Sequence, residues 1–217
     1  MHTPSEEALQ RRTKSEAILG GESVPLNAHL PVIESSGEVR LRSKSEIAYR
    51  TLALLTVALK GEGLEPPFLD TIVRRYQLQP HFTPKETAFL SSSTPPPQDV
   101  VSFTWRYESA WTLLWALGYV SELGKPSDIC DVPMAVKTMK ERTAEQFLND
   151  ANLRPLAQVL DQADLTYRYH WAVVDARIND RPCPAGLDPG IVYERHYALN
   201  WLIGYMDQEW DDVSTDT

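Results

Sequence analysis

Apolar positions recur along this chain at spacings of three and four, and the period-two alternation of a half-buried strand is nearly absent, so the pattern predicts helices. Thr3-Pro4-Ser5-Glu6 supplies an N-cap, a first-turn proline and a capping-box glutamate, with Gly20 and Gly21 as the stop, which places a first helix over about residues 4 to 19. Ser43-Lys44-Ser45-Glu46 repeats the box before IAYRTLALLTVALK, apolar nearly all round as far as Gly61, the mark of a core helix. A helix around Phe68 to Tyr76 and a short one started by Thr83-Pro84-Lys85-Glu86 follow. SSSTPPP, residues 91 to 97, reads as a linker or exposed loop, because three consecutive prolines cannot continue a helix. The aromatic segment from Gln98 then forms a long helix closed by Gly124. Further helices are expected at about 132 to 149 with a break near Thr143, at about 153 to 178 capped by Asn152, and from the Asp188-Pro189 cap to about Met206. In LPVIESSGEVRLR, residues 30 to 42, Ser-Ser-Gly could turn a short β-hairpin. The fold class expected is all-α, a single-domain helical bundle: residues 1–42 form an N-terminal helix and arm packing on the bundle, and 43–217 the helical core with a docked acidic tail.

Several charged side chains fall on the apolar faces. On the last helix Arg195 sits amid Ile191, Val192, Leu199, Leu202, Ile203 and Met206, and on the aromatic helix Glu108 sits among Trp105, Trp111, Thr112, Trp115 and Tyr119. Arg50 lies among Ile47, Ala53 and Leu54 with only Glu46 in helical reach. On the helix after Asn152 the apolar stripe is Leu156, Leu160, Tyr167, Trp171, Val174 and Ile178. An unpaired buried guanidinium is very costly, so each needs a carboxylate, with Glu108 the first candidate for Arg195 and Asp211 or Asp212 the second. One reading is a network that holds helices in register. The other is a Trp-lined cleft around Glu108, His170 and Arg195, in which Glu108 or His170 would act as general acid or base and Arg195 as anion anchor. Candidate ligand-binding residues are therefore Trp105, Arg106, Glu108, His170, Arg195, His196 and Asn200. No metal is expected: Glu194 and His196 stand about 200° apart round a helix and cannot share an ion. No GxSxG elbow and no glycine-rich phosphate loop occurs, so no catalytic residue and no cofactor is assigned.

Composition sharpens this. Of 217 residues 42% are hydrophobic and six are Trp, enough for a large aromatic core. The net charge of -9 leaves no bulk positive field for nucleic acid. Cys130 and Cys183 are too few for a disulfide framework, and the acidic start of the chain lacks the apolar stretch of an export signal, so a reducing cytoplasm is expected. The longest uncharged stretch of the aromatic segment, Ser109 to Ser121, is too short to span a bilayer, and no membrane association is expected. The tail from Asp207 has five acidic residues and no basic one, but Trp210 and Val213 offer apolar anchors for docking. The partner is an unidentified protein meeting the acidic surface of an interaction module or, alternatively, a small molecule in the cleft.

RTKSEAIL from Arg12, LPVIES from Leu30, LRSKSEIAYRTLALL from Leu41, WRYESAWTLLWALG from Trp105, Cys130-Asp131, LTYRYHWA from Leu165, ERHYALNWL from Glu194 and WDDVSTDT from Trp210 together resemble an uncharacterised bacterial family, domain of unknown function 4272. The likeness spans nearly the whole chain, residues 62 to 100 excepted. It implies a single, mostly helical, cytoplasmic domain and supplies no catalytic residues. The recurrent motifs coincide with the buried polar positions.

Overall fold

A computed structural model describes residues 4–217, and among these there are nine α-helices, a few short 3₁₀ turns and no strand. The helices are α1 (Glu6–Gly21), α2 (Lys44–Gly61), α3 (Pro66–Tyr76), α4 (Pro84–Ser91), α5 (Pro97–Ala116), α6 (Val132–Lys140), α7 (Ala144–Asn149), α8 (Leu156–Ile178) and α9 (Pro189–Leu202). Local chemistry starts most of them. Both halves of the capping box form at Ser43 with Glu46 and at Thr83 with Glu86, Thr143 caps α7 after the expected break, and Asp188 accepts from the amides of Gly190 and Ile191. The last proline of SSSTPPP is the first residue of α5, where a missing N–H leaves no bond unmade.

The packing follows the apolar faces. α2 is buried from Ile47 to Ala58, the partly buried Tyr49 excepted, and lies along α5; α9 packs on α5, α8 on α9 and α1 on α8, while α3, α4, α6 and α7 cover the rest of α2. Trp111, Leu114, Trp115, Leu117, Leu199 and Leu202, core residues by their pattern, are all buried. Each buried side chain of that size contributes roughly 1.5–3 kcal/mol. A smaller cluster of Leu19, Val24, Tyr169, Val173, Leu187 and Val192 joins α1 to α8 and α9.

Five expectations need correction. The cap of α1 is Ser5, whose Oγ accepts from Ala8 N–H at 3.1 Å; Thr3 lies outside the described residues. Residues 30–42 make no hairpin: the chain turns at 36–38, but no backbone ladder joins its two arms, and Arg42 N–H bonds to Leu202 O of α9 instead. α5 ends at Ala116, not near Gly124, because the amides of Asn152 and Arg154 take the carbonyls of Leu117 and Ala116 and Gly118 turns left-handed there (φ 81°). Asn152 is thereby committed, and α8 starts after Pro155. Finally, α8 is gripped on two sides, so Ala163, Thr166, Tyr169 and Val173 are buried and Ile178 is exposed, and Met206 lies beyond α9, exposed, after the left-handed Gly204.

The tail docks. Trp210 is buried edge-on against Tyr197 and Trp201, with the guanidiniums of Arg50 and Arg106 over its ring at 5.3 and 5.7 Å. Tyr197 Oη donates to Trp210 O, and Asn200 Nδ2 to Ser214 O at 2.9 Å. Asp211 accepts the Lys85 amide at 3.1 Å in the first turn of α4, where a carboxylate complements the helix dipole, and does not reach Arg195. No helix among the described residues is long and apolar enough to cross a membrane.

Candidate functional site

Facing turns of α5, α8 and α9 carry the polar side chains singled out above. Arg195 and Glu108 meet, Nε to Oε2 at 3.8 Å, both almost wholly buried. Glu108 Oε1 also accepts the Cys130 amide at 2.5 Å, and Arg195 Nη1 donates to Gly124 O at 2.9 Å, but Glu108 Oε2 and Arg195 Nε have no hydrogen bond. The pair is long and dry. Burial, the dominant cause for both, raises the Glu108 carboxyl above the usual carboxylate range and lowers Arg195, each only partly offset by the other's charge.

The neighbouring Glu194, weighed above as a metal ligand, is occupied by protein. Arg106 Nη1 donates to it at 3.1 and 3.3 Å and Ser109 Oγ at 2.5 Å. Arg106 lies over the Tyr197 ring at 4.6 Å; burial is the largest influence and opposes its charge, but Glu194, Tyr197 and Tyr193 together outweigh it and raise the guanidinium above its ordinary value. Arg50 finds its carboxylate in Glu86 of α4 at 2.5 Å, not in Glu46. Glu86 is the capping-box glutamate of α4, the signal by which this partner could have been found. Two further buried arginines are not singled out above, although the i,i+4 spacing of their partners marks them: Arg168 holds the buried Asp164 within α8 at 2.8 and 3.0 Å, and Arg11 reaches the partly exposed Glu7 and the Glu34 carbonyl.

His170 and His196 face each other across α8 and α9, Nδ1 to Nδ1 at 2.7 Å, so one ring donates to the other. Burial lowers His170 to about 4, helped by Arg177, and His196 to about 3, helped by His170; both rings are neutral at pH 7.

These side chains open on three separate hollows. Trp105, Arg106 and His170 line a cleft of about 640 Å³ between α5, the second half of α8 and the start of α9, together with Arg177, Arg181, Tyr193 and Glu194. Gly190 makes room for its Trp105 wall: a Cβ there would lie 2.7 Å from the indole. Glu108 lies instead at the edge of an apolar hollow of about 330 Å³ with Cys130, Val101 and Ile129, on the other side of Trp105. His196 and Asn200 line a third hollow of about 430 Å³. Arg195 lines none of them. The structure thus does not bring Glu108, His170 and Arg195 to one cleft: Arg195 points from α9 towards the loop at Gly124 and Cys130, whereas His170 faces His196. Among the described residues no group of three or more His, Cys, Asp or Glu stands together to hold a metal ion.

A family model described as domain of unknown function (DUF4272) matches residues 11–213 of the chain. No curated protein and no solved structure matches it.

Proposed function

From a chain that belongs to the DUF4272 family, whose description carries no activity, we propose a function on geometry alone: it binds a small molecule with a flat apolar body and a negatively charged end in the cleft between α5, α8 and α9. One observation carries this reading. In a protein of net charge -9, three guanidiniums, those of Arg106, Arg177 and Arg181, line one cleft, and its one lining carboxylate, Glu194, is already held by Arg106 and Ser109. Arg181 has Asp175, but Arg177 has no acidic partner among the described residues. Trp105 and Tyr193 supply flat walls, neutral His170 a hydrogen-bonding group, and Arg177 the anchor. The volume suits a molecule of metabolite size.

The expected ligand class makes a direct test. 2-Naphthoate should raise the melting temperature and 2-naphthamide should not, and Arg177→Ala should weaken naphthoate binding about tenfold or more, the worth of one charge-assisted hydrogen bond. Equal stabilisation by acid and amide, or an unchanged affinity in Arg177→Ala, overturns it. The two free cysteines, Cys130 and Cys183, fit a reducing cytoplasm, and the family resemblance suggests a bacterial one. A second reading, a protein-interaction module, is favoured by Val101 and Ile129, large apolar side chains exposed at the rim of the hollow beside Glu108. Ile129→Asp should leave naphthoate binding intact and abolish partner binding if that reading holds.

A further inference from the structure

The hollow on the far side of the histidine pair has the opposite electrostatic character. It is bounded by the extended arm at residues 30–34, by α8, α9 and the docked tail, and Glu34 and Asp216 line it, whereas no Lys or Arg does. Neither carboxylate has an ion-pair partner among the described residues. Arg168, the cation that acts on the Tyr167 ring, is committed to Asp164 by two hydrogen bonds. Glu34 and Asp216 both stand near Tyr205, whose phenol is raised first by burial and then by these two charges.

Acidic side chains near one another are common on a surface, but this hollow also has a built floor. His196 and Asn200 line it although each is more than nine-tenths buried. His196 commits Nδ1 to His170, and Asn200 commits Nδ2 to Ser214 O, which leaves His196 Nε2 and the acceptor Oδ1 of Asn200 without partners among the described residues. Both side chains are otherwise buried, so the two atoms left over are reached only from the hollow and are available there to a ligand. The walls are the rings of Tyr167 and Tyr205, whose faces attract cations.

We propose that this hollow binds a small organic cation carrying N–H groups, a primary ammonium or a guanidinium on a short apolar stem. Its N–H donates to Asn200 Oδ1, its charge is balanced by Glu34 and Asp216, and its stem lies against Tyr167 and Tyr205. An anion would meet two uncompensated carboxylates. A bare divalent ion such as calcium would need six to eight oxygens, more than two carboxylates and one amide oxygen supply. The site is distinct from the arginine-lined cleft and shares no lining residue with it.

The test uses the full chain and two matched probes, benzylamine and benzyl alcohol, titrated by calorimetry. Benzylamine should bind with a Kd of about 1 mM or tighter and at least about tenfold better than the alcohol, and added salt should weaken it. The double variant Glu34→Gln, Asp216→Asn should lose about tenfold or more in affinity at an unchanged melting temperature, since both side chains lack ion-pair partners. Asn200→Leu should also lose affinity, whereas Arg177→Ala should bind benzylamine as the parent does. No binding of benzylamine, equal binding of the alcohol, or unaltered affinity in the double variant overturns the proposal. A lost response in Arg177→Ala overturns it too, because the amine would then sit in the other cleft.

Discussion

Glu108 and Arg195 each stand 3.8 Å from the charge that balances them, with one hydrogen bond apiece to backbone. Desolvation pushes both towards neutrality, which is the regime in which removing one partner is worse than removing both. Arg195→Met should therefore destabilise the fold by about 3–5 kcal/mol, and adding Glu108→Leu should restore much of it. Denaturant titration of the four proteins of that cycle decides it: additive losses would mean the two side chains are energetically independent. Acid stability belongs to this scale as well. The histidine pair titrates at about 4 and 3 in the folded protein against about 6.5 when unfolded, so between pH 6.5 and 4 the unfolded chain binds protons the folded one refuses. Stability from this pair is fully present above pH 6.5 and declines as pH falls towards 4; Glu108, shifted upward, works in the opposite sense but is one group against two. The melting temperature should drop across that window, and His170→Asn should flatten the drop. A parent curve level from pH 6.5 to 4 would contradict the depressed values.

At the scale of elements, most helix starts were legible and so were the ends at Gly21, Gly61, Tyr76 and Ile178, but the end of α5 was not. Ser43, Thr83, Thr143 and Asp188 announce their helices because a cap is made within four residues of itself. The end of α5 is decided elsewhere: the distant Asn152 takes the Leu117 carbonyl, and its own carbonyl would lie 2.6 Å from a Cβ on Gly118. Gly118→Ala should accordingly destabilise strongly, by about 2 kcal/mol or more, because it adds strain at positive φ to a backbone clash. Thermal melts within a degree of the parent would show that the turn can relax. The tail is the other element whose role can be measured. Deleting residues 208–217 removes Trp210 from between two arginines and uncovers Tyr197 and Trp201, and should lower the melting temperature by several degrees. An unchanged melt would mean the tail contributes nothing to the fold.

For the whole molecule, periodicity was sufficient to mark Glu108, Arg195 and Arg50 as buried, since position on a helix face is a property of one helix. It could not say which hollow a side chain enters, because that depends on how α8 and α9 are rotated against each other. Hence Trp105, Arg106 and His170 share a cleft with Arg177 and Arg181, which no pattern had singled out, while His196 and Asn200 face away from it. The opposed charges of the two hollows were equally hidden in a single net figure. Their common wall has one consequence. With both imidazoles neutral and their Nδ1 atoms sharing one proton, the ring that gives that proton keeps a bare Nε2, and the ring that accepts it carries its hydrogen on Nε2. Nitrogen-15 spectra of the imidazoles should show one ring of each tautomer. A molecule that offers an N–H or O–H to His170 Nε2 then obliges His196 to hold its own hydrogen outward on the opposite side, and one that accepts from His170 reverses both. The pair acts as a see-saw with a single proton as its weight, and by reciprocity whatever settles in either hollow sets what the other will welcome.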